Sequence, residues 1–430
     1  MNINLNNSQS FWDAVANDFY GKRAFSSERL HCAEPLQQHL LFASVVECCQ
    51  RHLQGEWGAE IHWQKNGKVP EQEITDSAAL YPTLKDGDFV GYNQRMTALD
   101  VQYTLKIYDI QRVNYNFWRW GCLFLTQLFQ RRGMNKLGIS TYITVENRQL
   151  ADEIGFAPEC SVHMPIIGAQ KHYLWSAEYM QRHPTLKGNS DYQTHIDQAE
   201  CLVTPKHGFC CIPKKYWYSS QFTTKFNVTL TLSLQEYADI TPYIINTLVC
   251  PPLNERREPN DHFEYLGLPG ERLRHVNLSL NTGNLQSSVE QAPESLLTSF
   301  ETIHNQVDQD HMYEFWMRIS SAYGFNICPE ALPVAQRQTP TATSILQVSP
   351  QFPLRWRQTS SDVLCIAANG HILKFNTQHV YDSLFQTLNK SEAVTVESLT
   401  QELDLTELPI FYDIISQLAA VYAISMTTPA

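Results

Sequence analysis

Three runs of sequence are the most informative about the architecture of this chain: residues 155–175, GFAPECSVHMPIIGAQKHYLW, residues 203–220, VTPKHGFCCIPKKYWYSS, and residues 226–234, FNVTLTLSL. Apolar and polar side chains alternate in these runs, which are rich in Val, Ile, Tyr, Trp and Thr and are separated by Pro, Gly and Asn. Alternation with a period of two indicates strands, and the intervening residue types are typical of turns. The stretch therefore predicts a compact β barrel or sandwich.

The composition is that of an ordinary globular protein. The chain has 430 residues, of which 43% are hydrophobic and 18% are charged, and this length allows two or three domains. It has no apolar run long enough to span a membrane, and its first residues lack the basic start and apolar stretch of a secretory signal. Eleven cysteines are scattered without a C-x-x-C motif, so we expect reduced thiols and a cytoplasmic location.

The net charge constrains the partners. A formal charge of -12 disfavours anionic membranes and nucleic acids as main ligands, whereas it tolerates a basic protein or peptide. Residues 345–430 contain the basic side chains Arg355, Arg357, Lys374 and Lys390 against twice as many acidic ones. This balance argues against a DNA-binding function for the C-terminal part.

Regular elements are predicted on both sides of the central stretch. Helical spacing of apolar residues appears within residues 1–55, a strand is predicted at 103–108, a helix at 114–132 and a strand at 139–145. Residues 80–92 are predicted to form a turn-rich loop. Further helices are predicted at 237–249, 295–307 and 311–323.

The C-terminal part has its own pattern. After a polar linker at 335–344, residues 364–375 predict a hairpin around Asn369 and Gly370. Helices are predicted at 379–388, 396–403 and 409–421. A hairpin with three helices is the outline of a winged-helix domain.

The central motifs resemble those of the JmjC-like cupins, oxygenases that use Fe(II) and 2-oxoglutarate to hydroxylate protein side chains. Residues 165–175, PIIGAQKHYLW, are similar to the G-x-K-x-x-x-L-[WF] strand of that family, and residues 204–218 are similar to its P-x-x-[YFW]-x-H segment. The resemblance, which extends to the architecture of bacterial ribosomal-protein hydroxylases, implies an α+β fold with a double-stranded β-helix barrel. The implied domains are an N-terminal cover (1–100), the barrel (101–234), a helical, possibly dimerising region (235–341) and a winged-helix-like domain (345–430).

The residues that carry the chemistry of that family are replaced here. An Fe(II) oxygenase of this type needs two histidines and one carboxylate on one side of the ion. The second histidine of the family motif falls on Tyr218, and its H-x-D/E falls on residues 157–159 or 155–157, neither of which contains a histidine. Gln170 stands at the position of the cosubstrate lysine, and the neighbouring Lys171 is predicted to face the other way. We therefore expect no metal and no cofactor at the usual site.

Other residues offer alternative sites. His195, Asp197 and His207 have the residue types of an iron site, although they fall in a connecting loop; Glu159 and His163, with a neighbour such as His172, are a second set. A histidine hydrogen-bonded in the barrel wall is the plain structural interpretation of His163. The predicted cavity residues are Glu159, His163, Gln170, Tyr218 and Asn227, and the candidates for holding a cofactor are Lys171, Lys225 and Asn227.

Two features point to a peptide or protein partner. The aromatic residues Tyr173, Tyr216, Trp217 and Tyr218 are predicted to line the barrel mouth, and Lys206, Lys214, Lys215 and Lys225 are predicted to surround it. The leading hypothesis is a JmjC-like protein that binds such a partner after its iron site was lost or repurposed. The alternative is an active Fe(II)/2-oxoglutarate hydroxylase with non-standard ligands, and a third is a regulator that binds nucleic acid through its C-terminal domain.

Overall fold

The structure is a computed structural model, and it describes residues 8–32, 34–56, 60–65, 78–132, 137–147, 153–236, 309–325, 328–359, 362–377, 381–401 and 403–427. Its strands are β1 (Phe25–Ser27), β2 (Ile61–Lys65), β3 (Tyr103–Tyr108), β4 (Leu137–Glu146), β5 (Gly155–Phe156), β6 (Cys160–Ile167), β7 (Gln170–Trp175), β8 (Glu200–Thr204), β9 (Phe209–Ile212), β10 (Trp217–Phe222), β11 (Asn227–Glu236), β12 (Ile345–Val348), β13 (Arg355–Gln358), β14 (Val363–Ala368), β15 (His371–Asn376), β16 (Val394–Thr395) and β17 (Ile424–Thr427).

The α-helices are α1 (Ser8–Ala14), α2 (Gln38–Leu53), α3 (Phe89–Ala98), α4 (Tyr115–Arg132), α5 (Ala177–Arg182), α6 (Gln309–Ser321), α7 (Asp382–Asn389), α8 (Val396–Thr400) and α9 (Leu408–Ala420). A π-helical turn, Val15–Phe19, continues α1. The chain divides into two compact units, Met1–Glu236 with Ala322–Pro333, and Tyr237–Ser321 with Val334–Ala430.

Two antiparallel sheets form the first unit. The larger has the strand order β1-β9-β6-β11-β4-β3-β2, and the smaller has the order β5-β10-β7-β8. Strands that follow each other in sequence thus fall in different sheets at several points, for example β8 and β9. The mixed α/β class with antiparallel sheets that the sequence predicts is confirmed.

The period of two in the strands separates their two faces. In β3, Tyr103, Leu105 and Ile107 are buried, whereas Thr104, Lys106 and Tyr108 are half-buried on the other face. Aromatic residues of α1 and α4 cover a further part of the larger sheet, since Phe11 and Phe124 both meet Phe209 of β9 edge to face. The core on this side is therefore apolar, and the polar face of β3 is turned towards the smaller sheet.

The segment Ala322–Pro333 returns to the first unit. The backbone of Phe325 bridges to Ile139 of β4, and its ring approaches Trp118 of α4 at 6.3 Å between centroids. The carboxylate of Glu330 accepts a hydrogen bond from Arg112 Nε at 2.6 Å and another from Arg51 of α2. Residues that lie far apart in sequence therefore close this unit.

The second unit contains two three-stranded sheets, with the orders β16-β12-β17 and β13-β14-β15. The predicted hairpin is confirmed: β14 and β15 pair through Ala368 and His371, and Asn369 and Gly370 adopt positive φ angles, as a two-residue turn requires. Helix α6 is tied to this sheet by an ion pair between Lys374 Nζ and Glu314 at 2.7 Å.

One stretch differs from the sequence prediction. Residues 80–92 were expected to be a loop, but a 3₁₀ turn, Leu84–Asp86, is followed directly by α3. The Asp88 side chain caps α3 by accepting from Gly91 N at 2.8 Å, and Arg95 binds Asp86 at 2.6 Å. The same Asp and Gly residues that indicate a turn therefore begin a helix.

Most helix predictions agree with the structure within a few residues. The helix predicted at 114–132 is α4, and those at 379–388, 396–403 and 409–421 correspond to α7, α8 and α9. The helices predicted at 237–249 and 295–307 lie outside the described residues. None of the described helices is long and apolar enough to cross a membrane.

Candidate functional site

The facing surfaces of the two sheets in the first unit enclose a polar cavity of about 330 Å³. Because every second residue of a strand points to the same side, several strands each contribute two or three side chains to it. The cavity is lined among others by Gln64, Thr104, Lys106, Tyr142, Thr144, Glu146, His163, Gln170, Tyr218, Ser220, Phe222, Thr229 and Thr231. Its lining can offer hydrogen bonds and charge to a polar ligand.

Two imidazoles lie side by side in this interior. His163 of β6 and His172 of β7 have ring centroids 4.9 Å apart. Burial, helped by the charge of Lys106, lowers the pKa of His163 to about 3, and burial lowers the pKa of His172 well below its ordinary value. Both rings are therefore neutral at physiological pH.

Hydrogen bonds hold both imidazoles in the wall. His163 Nε2 lies 2.9 Å from Ser161 Oγ, and its Nδ1 lies 3.3 Å from Thr231 Oγ1. His172 Nδ1 lies 2.9 Å from Ser220 Oγ, whereas its Nε2 has no partner among the described residues. Only His172 therefore keeps a ring nitrogen for a further ligand.

Lys106 and Glu146 bring opposite charges to the cavity at different levels of the sheet. The Lys106 amine lies 4.1 Å from the ring centroid of Tyr142 and 4.9 Å from that of Tyr108. Glu146, which is 2% exposed, accepts a hydrogen bond from Thr104 Oγ1 at 3.3 Å. Along β3 and β4, Thr104 pairs with Glu146 and Tyr108 pairs with Tyr142. The Lys106 amine therefore lies nearer to the Tyr108–Tyr142 pair than to Glu146.

Some buried polar atoms beside the cavity lack hydrogen bonds. Gln170 Oε1 and Thr229 Oγ1 have no partner among the described residues, and both side chains are only 3% exposed. An unsatisfied buried group costs about 1–3 kcal/mol. Because native proteins pair nearly all such groups, a ligand or a water in the cavity can supply the partner of these two atoms.

The interior beyond Tyr218, a residue that also lines the polar cavity, is apolar. Here Tyr218 of β10 pairs with Gly155 of β5 and with Leu174 of β7. A buried cluster fills the space beside it, with Tyr216 and Tyr218 packed against Ala24, Ala157, Leu174, Leu202, Cys210 and Ile212. Burial raises the pKa of Cys210 to about 12, so its thiol stays protonated and is a poor metal ligand.

The usual iron site of the resembled family does not fit these residues. Its ligands would fall on residues 155–159 and Tyr218. Of these, Ala157 and Tyr218 pack in the apolar cluster, the Glu159 carboxylate accepts a hydrogen bond from Ser233, and the Tyr218 ring, 6.0 Å from that of His163 between centroids, stands where the family has a histidine. In the part of the chain that the structure describes, no three His, Cys, Asp or Glu side chains come close enough to hold a metal ion. No catalytic step through iron or 2-oxoglutarate follows from this geometry.

The alternative ligand sets are spread over the first unit. His195 lies in a 3₁₀ helix and binds the Tyr179 hydroxyl through Nδ1 at 2.7 Å, while Asp197 is exposed. His207 is an exposed turn residue with φ of 64°. Glu159 precedes β6, and its carboxylate accepts a hydrogen bond from Ser233. The structure therefore brings His163 to His172, and it does not join either to His195, Asp197 or His207.

The three cofactor candidates lie away from the cavity centre. Lys171 is on the other face of β7 from Gln170 and His172, as the alternation predicts, and Lys225 is exposed in the turn between β10 and β11. Asn227 is fully buried, but its amide is used by that turn: Nδ2 donates to Thr224 O at 2.6 Å, and Oδ1 accepts from Thr224 Oγ1 at 2.7 Å. The Asn227 amide is thus used to close the turn.

The predicted aromatic mouth is divided between two faces. Tyr216 and Tyr218 pack against the interior cluster, whereas Tyr173 and Trp217 belong to an outer cluster with Trp175, Met180, Leu186 and Tyr192. A groove of about 450 Å³ opens beside Trp175, Glu178, Glu200, Lys215 and Tyr216. The expectation of one ring of four aromatics is wrong because adjacent strand residues point to opposite sides.

The predicted lysine ring is also divided. Lys215 N bonds to Ala157 O at the apolar end, and Lys214 is beside it in sequence. Lys206 and Lys225 lie in turns at the opposite end, where His207 N bonds to Pro165 O and Thr223 N bonds to Ala169 O. The four lysines therefore do not surround one opening.

Sequence reasoning missed Lys106, Glu146 and Tyr142. The signal was present, because residues 103–108 and 139–146 alternate and the polar face of each strand carries these side chains. The sequence does not show that β4 pairs with both β3 and β11, and this pairing turns the polar face of the two strands towards the interior.

No protein-family model matches this sequence, and no curated protein matches it. Among solved structures, the chain is similar to YcfD, a ribosomal oxygenase from Escherichia coli, with 13% identity over 96% of this chain and 97% of that chain and a TM-score of 0.46. It is also similar to YcfD in complex with cobalt and 2-oxoglutarate, with 12% identity over 99% of both chains and a TM-score of 0.47.

Proposed function

We propose that this chain is a JmjC-like cupin protein that binds a peptide or protein partner and whose usual Fe(II)/2-oxoglutarate site is lost. The observation that carries the proposal is the apolar cluster at the junction of β5 and β10, where Ala157, Leu174 and Tyr218 pack together. A metal site needs several donors held together by hydrogen bonds in a polar surrounding. A packed apolar cluster at that position supports the proposal that the protein binds its partner without oxidising it.

The strand order supports the barrel interpretation. Sheets with the orders β9-β6-β11-β4 and β5-β10-β7-β8 alternate along the chain in the manner of a double-stranded β-helix. The second unit, with its hairpin and the helices α7, α8 and α9, is consistent with a winged-helix-like domain. The proposed domains remain 1–100, 101–234, 235–341 and 345–430, and the proposed homodimer region lies mostly outside the described residues.

Anaerobic titration with Fe(II) and 2-oxoglutarate tests the loss of the iron site. We expect no visible charge-transfer band and no stoichiometric binding of Fe(II). The Escherichia coli ribosomal oxygenase, solved with cobalt and 2-oxoglutarate, is the positive control. A band at one equivalent of iron would overturn the proposal.

A second candidate function is an active Fe(II)/2-oxoglutarate hydroxylase with non-standard ligands. The observation that favours it is the pair of neutral, neighbouring imidazoles, His163 and His172, because neutral imidazole is a common metal ligand. If this candidate is correct, His172→Ala abolishes the charge-transfer band that the parent shows, and His195→Ala keeps it. If the unsubstituted chain shows no charge-transfer band, this second candidate function is eliminated.

The groove beside Trp175 and Tyr216 supports the peptide-binding part of the proposal. It is lined by Glu178, Glu200 and Lys215, and its acidic excess fits a basic segment, as does the net charge of -12. We expect an arginine-rich peptide to bind at low salt and the doubly substituted Glu178→Gln, Glu200→Gln chain to bind it several-fold more weakly. Glu56→Gln, an exposed change outside the groove, is the matched control, and equal binding by all three chains would contradict the assignment.

A further inference from the structure

We infer that His183 and His195 form a binding site for a divalent transition-metal ion of the class of Zn²⁺ and Cu²⁺, with water as the remaining ligands. Both residues lie in the connection between β7 and β8, and neither lines the polar cavity. The sequence groups His195 with Asp197 and His207, whereas the structure places it beside His183. The inference goes beyond the proposed function and does not depend on it.

The two rings lie at the distance that a shared metal ion requires. Their centroids are 5.3 Å apart, and their planes are inclined at 67°. Two imidazoles on one tetrahedral Zn²⁺, with Zn–N bonds of about 2.0–2.1 Å, have centroids about 5 Å apart. Both His183 and His195 are half-buried at the surface, so an ion can reach them from solvent and keep part of its water.

The hydrogen bond of His183 leaves one ring nitrogen for the metal. Its Nδ1 lies 3.0 Å from the backbone oxygen of Tyr179. Because a carbonyl oxygen only accepts, Nδ1 carries the proton of the neutral ring and Nε2 carries the lone pair. Among the described residues, Nε2 has no hydrogen-bond partner.

The side chain of the same tyrosine prepares His195. Its Nδ1 lies 2.7 Å from the Tyr179 hydroxyl, and a hydroxyl can either donate or accept. When the hydroxyl accepts, Nδ1 carries the proton and Nε2 presents its lone pair. Metal-binding histidines almost always donate their other ring N–H to an oxygen, and here both oxygens belong to Tyr179.

Packing around the pair holds this arrangement in place. The rings of Tyr179 and His183 stack at 4.2 Å between centroids, and the backbone oxygen of His195 accepts from Trp175 Nε1 at 3.1 Å. Tyr179 packs against the outer cluster that contains Trp175 and Met180. The ligands are therefore largely ordered before an ion binds, which lowers the entropic cost of binding.

The number of protein ligands determines which ions bind. Among the residues that the structure describes, no third His, Cys, Asp or Glu side chain joins the pair, so binding is weaker than in a four-ligand structural zinc site. Cu²⁺ should bind more tightly than Zn²⁺, Fe(II) more weakly than both, and Mg²⁺, which prefers oxygen ligands, should not bind. Iron binding that survives His183→Ala therefore concerns only the proposed function.

Calorimetric titration of the full chain with ZnCl₂, without a polyhistidine tag, tests the inference. We expect His183→Ala and His195→Ala each to weaken the binding of one equivalent of Zn²⁺ about tenfold or more. His39→Ala, which removes an exposed histidine of α2, is the matched control and should bind as the parent does. The inference is wrong if the parent binds no Zn²⁺, or if both site variants bind it as the parent does.

Nitrogen NMR of the histidine side chains identifies the ligand atoms. We expect Zn²⁺ to shift the Nε2 signals of two histidines, the same two whose signals are missing from His183→Ala and His195→Ala. Tyr179→Phe removes only the positioning hydroxyl, so it should weaken Zn²⁺ binding less than His195→Ala and change the Nδ1 signal of His195. Circular dichroism checks that each variant folds. A shift confined to one histidine, or to Nδ1 atoms, would overturn the inference.

Discussion

The two ends of the interior between the sheets of the first unit differ in kind. At one end Ala157, Leu174 and Ile212 pack into an apolar cluster, and at the other end Gln170 Oε1 and Thr229 Oγ1 are buried without partners. Packing of the first kind stabilises the fold, and unsatisfied groups of the second kind destabilise it. The apolar end therefore stabilises the first unit, whereas the polar end lowers its stability unless a ligand or a water pairs these two atoms.

The largest expected effect is at the apolar end. Leu174→Ala removes a side chain that is 3% exposed and should lower the free energy of unfolding by about 2–5 kcal/mol. Urea denaturation followed by tryptophan fluorescence measures it. Val203→Ala, on β8 with 49% exposure, is the control and should stay within about 0.5 kcal/mol of the parent. Equal losses in both variants would mean that the apolar end is not a tightly packed core.

The next effect comes from the imidazoles. The pKa of His163 is about 3 in the folded chain, against an ordinary value of 6.5, so between these values the unfolded chain binds a proton that the folded chain does not. The free energy of unfolding therefore falls as pH falls below about 6.5, by about 1.4 kcal/mol per pH unit from this histidine.

Replacing His163 should remove that part of the pH dependence. Between pH 7 and pH 5 the parent should lose about 2 kcal/mol more than His163→Gln, as measured by urea denaturation at both pH values. The contribution of His172, whose pKa is lowered in the same direction, remains in both chains. The same slope in parent and variant would show that His163 is not held neutral in the wall.

The smallest effect distinguishes two neighbouring threonines at the polar end. Thr229→Val removes an unpaired hydroxyl and should raise the free energy of unfolding by about 1 kcal/mol. Thr231→Val removes a hydroxyl that contacts His163 Nδ1 at 3.3 Å and should lower it by a similar amount. Thermal melting of both variants measures the two signs, and a loss of stability in Thr229→Val would show that its hydroxyl is satisfied in the folded protein.

The local part of the fold could be predicted from the sequence. The alternation at 103–108 gives β3, and Asn369 with Gly370 gives the hairpin of β14 and β15, because strand period and turn chemistry depend on adjacent residues. Helix α3 was missed because its start depends on the cap by Asp88 and on the ion pair of Asp86 with Arg95. The residue types that make these contacts are the same as those of an ordinary turn, so the sequence alone does not distinguish the two.

The candidate site was predictable only in part. His163 and Tyr218 could be placed on strands that face the interior, but Lys106 and Glu146 line the same cavity only because β4 pairs with β3 and β11. The predicted groups of aromatics and lysines failed for a related reason. Their members are close in sequence, but they lie on opposite faces of a strand or at opposite ends of the sheets.

The return of Ala322–Pro333 to the first unit has a consequence for biosynthesis. Glu330 binds Arg51 and Arg112, and Phe325 bridges to Ile139, so the last contacts of this unit wait for residues made long after Glu236. At the usual speed of the ribosome that delay is on the order of ten seconds. During that interval the nascent chain leaves the edge of β4 and the two arginines uncovered, which is when a chaperone would have most to protect.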